Sequence, residues 1–388
     1  MMPFFMVFGG LGFIFGTGGS ALVEKTLGEG NDKDASRYFS MMVWVTLIVG
    51  ILISLLGILF TKPIAELLGA TGEMLNYAVI YGRIIIGFTV AFMFQNLFQS
   101  FLITAEKPSL GLKVTIIAGV TNMVLDALFV VVIPWGVTGA ALATGLSQVV
   151  GGIIPLFYFL KRKEGLHIVK TNLEMRPILS ACGNGISEFV TNVTSSIIRM
   201  AYNFQLLRFA GELGVADYGV IMYIEFFFAA IFIGLAIGSA PLNSYHYGAN
   251  NRGELRNLKQ KNIKIGVILG VIMTFLSFTL ARPLASLFVG YDETLLNMSV
   301  EGLQIVSFFF LFVGFNIFSS SFFTALNNGL ISAVISFLRT FVIKLGLVLT
   351  LPIFLGLNGV WWSSVLAELL TLFVGIFFIL KYQNRYGY

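Results

Sequence analysis

Long apolar runs recur along the chain, separated by short polar segments. A helix that crosses the hydrocarbon core of a bilayer needs about 20 mainly apolar residues. Eleven runs are long enough, and each predicts a membrane-spanning helix. In chain order they are 3–24, 39–60, 75–102, 113–134, 139–160, 178–207, 217–245, 263–280, 295–324, 331–351 and 358–380. Strands of a membrane β-barrel are about 10 residues long and alternate in polarity, so the pattern predicts an all-α polytopic membrane protein.

The composition excludes several classes of protein. Apolar residues make up 57% of the 388 residues and charged residues 11%, whereas soluble domains carry about 25% charged residues. An ordinary soluble enzyme, a disordered chain and a nucleic-acid binder are therefore excluded. The single cysteine, Cys182, excludes a disulfide framework and a Cys-based zinc cluster. An intramembrane enzyme lacks any recognisable catalytic motif here, and we expect no cofactor and no obligate protein partner.

The basic residues are distributed unevenly between alternate loops. One set of loops, counted with the C-terminal segment, holds seventeen Lys and Arg, and the other set holds three. The first set includes the loops 25–38, 103–112, 161–177 and 246–262. Cytoplasmic loops carry the excess of Lys and Arg. The net charge of +5 therefore reflects topology, and we expect a multi-pass protein of the cell membrane with a cytoplasmic C-terminus.

The chain also resembles itself at an offset of 220 residues. Glycine and proline positions coincide at this offset without gaps from 18 to 161, for example Lys62-Pro63 with Arg282-Pro283. We expect two pseudo-symmetric six-helix lobes, an N-terminal lobe 1–162 and a C-terminal lobe 178–388, joined by a cytoplasmic linker 163–177. Transporters built from such parallel repeats bind their substrate at the interface of the halves.

The repeat predicts one helix fewer in the N-terminal lobe. The counterpart of the run 178–207 would precede Met1, so we expect that lobe to have five helices and to lack the first. A misassigned start and a true truncation both explain this, and a truncated, inactive membrane protein is one alternative reading of the chain.

Ionisable residues inside the spans are functional candidates, because a charge at the bilayer centre costs about 3 kcal/mol or more. A polar stripe follows one face of the run 178–207 at steps of three and four residues. Its members are Asn184, Glu188, Asn192, Ser195, Arg199 and Asn203. A stripe along a whole span favours a wet cavity, although the same groups can simply bond to neighbouring helices.

Three further acids lie within spans. Asp126 shares a helix face with Asn122 and is expected to bind Na⁺ or carry a proton. Glu225 and Glu368 lie in the runs 217–245 and 358–380, and Arg339 and Lys344 are candidates to neutralise Glu368. For each acid, a buried structural role is the alternative.

Several motifs taken together resemble the multidrug and toxic compound extrusion (MATE) family. They are Asn122-Met-Val-Leu-Asp126, Gly136-Val-Thr-Gly-Ala-Ala-Leu-Ala-Thr144 with Gln148, Gly16-Thr-Gly-Gly-Ser-Ala21 with Gly28, and Gly238-Ser-Ala-Pro241 with Tyr247-Gly248-Ala249. The likeness is greatest to the bacterial branch that includes drug pumps and DNA-damage-inducible proteins. The glycines in 16–21 are better explained by close helix packing than by a dinucleotide site.

The resemblance implies two six-helix lobes around a central cleft and export of organic cations or amphiphiles, driven by Na⁺ or H⁺ entry. Our hypothesis is alternating access, with entry of the coupling cation at Asp126 or Glu188 weakening drug binding. Many members of the family use an acidic residue on the first helix for cation coupling, and we expect this chain to lack that helix. A lipid-linked saccharide flippase of the same superfamily is the alternative within transport, and the expected partners are the bilayer and a small organic cation or amphiphile.

Overall fold

A computed structural model describes residues 2–67 and 72–388, with side chains described for 10–66, 72–195 and 197–388. Throughout this described part of the chain the regular structure is helical, without a strand. The prediction of an all-α protein is confirmed. The chain divides into two compact units, unit 1 (Met1–Phe189) and unit 2 (Val190–Tyr388), and each is described separately below.

The helices are numbered in chain order. They are α1 (Met2–Gly28), α2 (Asp32–Leu67), α3 (Gly72–Gly87), α4 (Thr89–Thr104), α5 (Pro108–Asp126), α6 (Gly136–Lys161), α7 (Met175–Gly248), α8 (Arg252–Thr279), α9 (Ala281–Val289), α10 (Glu293–Val306), α11 (Phe310–Ala325), α12 (Gly329–Phe337) and α13 (Leu345–Tyr386). Two π-helical segments, Ala127–Val132 and Leu338–Lys344, continue α5 and connect α12 with α13.

Among the described residues, seven continuous helices are long and apolar enough to cross a membrane, and an eighth is obtained if α3 and α4, bent by 48° at their break, form one span. The 74-residue α7 would extend about 110 Å at 1.5 Å per residue, far beyond a ~30 Å bilayer core. Gly211 (φ 61°, ψ −150°) and Gly356 (φ 59°, ψ −139°) interrupt α7 and α13 in a conformation open only to glycine. α7 is therefore two spans. In α13, the residues before Gly356 continue α12 and the π-helical segment 338–344 as one span, and the residues after Gly356 form another. Together with α1, the helical segments coincide with the eleven predicted runs.

The 220-residue repeat is visible in the backbone of both units. Gly30 and Asn250 both have positive φ, and so do Gly136 and Gly356. The side chain of Asn31 caps the backbone N–H of Asp34, just as Asn251 caps that of Glu254. The break between α3 and α4 is matched by the 3₁₀ turn between α10 and α11. The predicted repeat is thus reproduced in local structure.

Close glycine contacts and an aromatic cluster hold unit 1 together. A Cβ on Gly18 would lie 2.0 Å from the carbonyl oxygen of Ala181, and one on Gly185 would lie 2.2 Å from that of Ile14. Only hydrogen at these positions lets α1 approach the start of α7, as the small residues of 16–21 predict. Beside this seam, four buried aromatic rings pack against one another in edge-on, tilted and stacked pairs. They are Phe39, Phe98, Phe101 and Phe159.

The segment that precedes α7 is docked on unit 1. Leu166 is buried, the backbone N–H of Val169 donates to the Ser40 hydroxyl at 2.8 Å, and Arg37 pairs with Glu174. The lobe boundaries expected from the sequence stay a prediction. Residues 178–189 lie in unit 1, whereas the sequence places them in the C-terminal lobe.

Unit 2 has its own core, in which Phe228, Phe309, Phe310 and Trp361 are buried. Large apolar side chains elsewhere are strongly exposed: Phe354 is 81% and Phe227 72% accessible. Such surfaces are unfavourable in water and are expected where helices face lipid tails.

Candidate functional site

The most completely satisfied ionic group in unit 2 is Glu368 on α13. Its side chain is 2% exposed, and its carboxylate accepts hydrogen bonds from Arg339 Nε at 2.9 and 3.1 Å and from Asn316 Nδ2 at 2.7 Å. Asn316 Nδ2 also donates to the backbone oxygen of Glu368 at 2.8 Å. These bonds join α11, α13 and the π-helical segment 338–344. A buried charge needs both a counter-ion and hydrogen bonds, and Arg339 and Asn316 supply them to Glu368.

A second ion pair in unit 2 is looser. Lys344 Nζ lies 3.9 Å from Glu225 Oε1, and the two side chains keep 17% and 20% of their accessible surface. The Lys344 ammonium also lies over the Phe309 ring at 5.3 Å, so aromatic surface stabilises part of its charge. Of the two bases proposed to neutralise Glu368, Arg339 therefore does so and Lys344 pairs with Glu225.

Aromatic and hydroxyl groups adjoin the looser pair. The rings of Tyr202 and Tyr218 stack with centroids 4.9 Å apart and an interplanar angle of 3°. The Tyr202 hydroxyl lies 3.0 Å from Ser363 Oγ, and Lys344 Nζ lies 6.0 Å from the Tyr202 ring centre. Tyr202 is buried and Tyr218 is half-buried, so the stack packs beside Lys344 and leaves only part of the Tyr218 ring accessible to a flat cationic group.

In unit 1, Asp126 ends α5 where the π-helical segment begins. The carboxylate is half-buried, and it forms neither an ion pair nor a hydrogen bond with any residue that the structure describes. Tyr81 lies close enough to the Asp126 carboxylate for the two groups to interact electrostatically. One turn earlier, Asn122 Nδ2 is buried without a partner among the described residues. Asn122 and Asp126 lie four residues apart on α5 and so share a helix face. Their carboxylate and amide oxygens are the kind of ligand that hard cations prefer, and binding of Na⁺ here stays a prediction.

The polar stripe predicted for 184–203 lies on the continuous part of α7 that precedes Gly211. Asn184 is buried, Glu188 and Asn192 are half-buried, and Arg199 is exposed. Ser195 Oγ donates back to the Thr191 carbonyl at 2.7 Å, a local bond within the helix. The stripe therefore runs from a buried to an accessible environment.

Two buried acids were not among those predicted. Asp217 is fully buried, and its Oδ1 accepts from Ser299 Oγ at 2.6 Å while Oδ2 has no partner among the described residues. Glu24 is 4% exposed and accepts from Thr104 Oγ1 at 2.5 Å. Each lies at the end of an apolar run. From hydropathy alone, a charged residue at that position cannot be distinguished from one in the adjoining loop.

The comparisons with known proteins cover most of the chain. The family model MatE matches residues 1–128 and 189–350. The multidrug export protein MepA of Staphylococcus haemolyticus is 26% identical over 390 residues, which covers 99% of this chain and 84% of that protein. MepA of Staphylococcus aureus is 24% identical over 389 residues, with coverage of 99% and 85%.

Solved structures share the fold. A crystal structure of MATE in complex with MaL6 superposes with a TM-score of 0.94 at 21% identity, and covers 100% of this chain and 87% of its own. An outward-facing MATE transporter of the MOP superfamily gives 0.93 at 22% identity, with coverage of 100% and 87%. A MOP superfamily transporter from Pyrococcus furiosus, described by the reverse polarity of its binding pocket, gives 0.91 at 23%, also with coverage of 100% and 87%.

The fold and the ionisable groups within its spans define a helical polytopic membrane protein. Because the family model covers well over half of the residues, the chain belongs to the MatE family, and the prediction of a MATE-family transporter is confirmed. The narrower placement in a branch with DNA-damage-inducible members stays a prediction.

Proposed function

We propose that this chain exports organic cations or amphiphilic molecules across the cell membrane in exchange for Na⁺ or H⁺, by alternating access of its two lobes. The similarity to MepA proteins named for multidrug export supports the substrate class. The single observation that carries the coupling part is Asp126, a half-buried carboxylate in a membrane-spanning helix without an ionic partner among the described residues.

The four acids predicted from the sequence differ in how available they are to an exchangeable cation. Glu368 is occupied by Arg339 and Asn316, so we assign it a structural role. Glu225 has a distant partner and accessible surface, so a proton or Na⁺ competes there with Lys344. Asp126 forms no ion pair with any base among the described residues. Glu188 is half-buried and stays a candidate by its place on the polar stripe.

The coupling follows from electrostatics. A carboxylate in a low-dielectric span attracts a lipophilic cation strongly while it is ionised, and that attraction is lost when H⁺ or Na⁺ neutralises it. Entry of the coupling ion therefore releases the drug, and by linkage drug binding weakens the ion's affinity to the same degree. On this scheme Asp126 and Glu225 are the exchange sites, and aromatic surface such as the Tyr202–Tyr218 stack supplies the apolar contacts.

Efflux of a fluorescent lipophilic cation from proteoliposomes tests the proposal. A Na⁺ gradient, a proton gradient and no gradient are imposed in turn on the wild type and on Asp126→Asn, Glu225→Gln and Glu188→Gln. We expect gradient-driven efflux in the wild type and its loss in Asp126→Asn, with normal membrane insertion. Thr121→Val, one turn earlier on α5 beside Asn122, is the matched control. Wild-type efflux in all three acid variants would overturn the coupling scheme.

Two positive groups within the spans of unit 2 are already paired, which argues against a pyrophosphate-bearing cargo. Arg339 and Lys344 both face carboxylates, so their charge is already compensated. A lipid-linked saccharide flippase would instead need uncompensated positive charge in its cleft. No cation efflux, together with flipping of a labelled lipid-linked saccharide, would support that function.

A further inference from the structure

A polar cavity of about 430 Å³ lies at one end of unit 2. It is lined by the end of α7, the turn between α11 and α12, and the last turns of α13. Its walls include Tyr247, Asn328, Leu330, Tyr382 and Arg385. The loop 246–262 and the C-terminal segment also belong to the end that the Lys and Arg distribution predicts to be cytoplasmic. We refer to this cavity as the Arg385 pocket.

The side chains of the Arg385 pocket offer positive charge and hydrogen-bond donors. The Arg385 guanidinium lies 6.0 Å from the Tyr382 ring centre and 5.6 Å from that of Tyr386. It forms no ion pair with any residue in the described part of the chain. Asn328 Nδ2 donates to the Tyr386 hydroxyl at 2.6 Å, which leaves the hydroxyl hydrogen free to point toward a ligand. No acidic side chain is among the described residues that line the cavity.

The corresponding place in unit 1 is built differently, which shows that the repeat does not impose the pocket. At the offset of 220, Gly165 takes the place of Arg385 and Arg162 that of Tyr382. Arg162 Nη1 there lies within 3.5 Å of the Ala105 carbonyl oxygen, its acceptor. The adjoining turn carries the acidic Glu106, with φ of 59°, where unit 2 has Asn327 with φ of 53° one residue further on. In unit 1 a glycine thus takes the place of Arg385, and the arginine one turn earlier is bonded to the backbone.

The surroundings of the pocket match a membrane interface. Tyrosine rings gather at the level of lipid headgroups in membrane proteins, and Tyr247, Tyr382 and Tyr386 adjoin one another here. Leu330, on the rim, is 75% exposed and gives apolar surface for the first carbons of an acyl chain. An arginine fork matches the geometry of a phosphate oxygen pair.

We propose that the Arg385 pocket binds the phosphate of an anionic lipid headgroup from the adjoining leaflet. The shared chemistry is a phosphate-bearing anion, which free inorganic phosphate also presents. A lipid adds glycerol and acyl contacts at Leu330 that free phosphate does not make, so we expect the lipid to be the better ligand. This site is separate from Asp126 and Glu225 and does not depend on the transport proposal.

Native mass spectrometry of the purified full chain tests the proposal. The protein is titrated with dioleoylphosphatidylglycerol, with zwitterionic dioleoylphosphatidylcholine, and with phosphatidylglycerol in the presence of inorganic phosphate. One basic residue near a membrane surface contributes about a fivefold change in affinity for anionic lipid. We expect phosphatidylglycerol to bind at least about fivefold more tightly than phosphatidylcholine, with Arg385→Gln removing this preference and Arg385→Lys retaining part of it.

Lys381→Gln is the matched control, since it removes one positive charge from an exposed position one turn earlier on α13, outside the pocket lining. Unfolding temperatures of all variants are measured in the same detergent. Equal loss of the lipid preference in Arg385→Gln and Lys381→Gln would overturn the pocket in favour of diffuse surface charge. Unchanged lipid binding in a folded Arg385→Gln protein would also overturn it. Full displacement of phosphatidylglycerol by inorganic phosphate would overturn the lipid as the ligand and assign the pocket to the free anion.

Discussion

The two units place different chemistry at repeat-related positions. In unit 2, Asn316, Glu368 and Arg339 form a buried ionic cluster. At the offset of 220, unit 1 has the neutral residues Asn96, Gln148 and Gly119. Asn96 Nδ2 and Gln148 Oε1 are buried without partners among the described residues.

This difference shows that the architecture does not require the ion pair. Unit 1 forms the same local caps and breaks around neutral amides, so a charge at the position of Glu368 is specific to unit 2. Unit 1 carries the acid Asp126 immediately before the π-helical segment Ala127–Val132, whereas the segment Leu338–Lys344 of unit 2 carries the bases Arg339 and Lys344. The two copies therefore share local backbone geometry but differ in the ionisable residues beside their π-helical segments.

The largest effect is expected when unit 2 is given the residue of unit 1. Glu368→Gln leaves the Arg339 guanidinium without its counter-ion, and breaking a buried pair in this way costs about 3–5 kcal/mol. The unfolding temperature in lipid nanodiscs, followed by tryptophan fluorescence, should fall by many degrees. Adding Arg339→Met should recover most of the loss, because it removes the unpaired charge. A single variant that unfolds like the wild type would contradict the described pair.

The glycine seam gives a second test between repeat-related positions. Gly18→Ala places a methyl group 2.0 Å from the Ala181 carbonyl oxygen and should lower the free energy of unfolding by about 1–3 kcal/mol through overpacking. At Gly238, its counterpart in unit 2, an added Cβ would have no other atom within 4 Å. Gly238→Ala should therefore be neutral or stabilising, by up to about 1 kcal/mol from helix propensity. Equal melting temperatures for the two variants would contradict the seam.

A smaller effect on stability is expected at the looser ion pair of unit 2. Glu225→Gln removes a carboxylate 3.9 Å from Lys344. The loss should be smaller than at Glu368, because the Arg339–Glu368 contact is 2.9 Å and Glu368 also accepts from Asn316. The unfolding temperatures of Glu225→Gln and Glu368→Gln, measured in the same assay, show which ion pair contributes more to stability. A loss at Glu225 as large as that at Glu368 would show that the looser pair is structural, which would count against its role as an exchange site.

The smallest effect is expected at Gln148 of unit 1. Its buried Oε1 has no donor among the described residues, so Gln148→Leu loses no hydrogen bond at that atom and removes a desolvated polar group. Stability should change by no more than about 1 kcal/mol, in either direction. A loss of several kcal/mol, measured by the same unfolding assay, would reveal a polar network in unit 1 comparable to that around Glu368.

Hydropathy was sufficient to predict the helical class and the eleven runs, because length and apolar content decide which segments cross a bilayer. The repeat was predictable from the Gly and Pro positions that coincide at an offset of 220 residues. The spacing of four residues also placed Asn122 and Asp126 on one face. The pairing of Lys344 with Glu225 was not predictable, since it depends on which faces of α7 and the π-helical segment meet in three dimensions. Asp217 and Glu24 were missed because burial at the end of a helix leaves no signal in local hydropathy.

The amide of Asn316 has a spectroscopic consequence. Its nitrogen donates to both the backbone oxygen and the carboxylate of Glu368, while its own carbonyl oxygen is buried without a donor among the described residues. A carbonyl that accepts no hydrogen bond vibrates at a higher frequency than one in water. Isotope labelling of asparagine, with an Asn316→Ser difference spectrum, would turn this bond into an infrared reporter that lies inside the ionic cluster without adding a foreign probe.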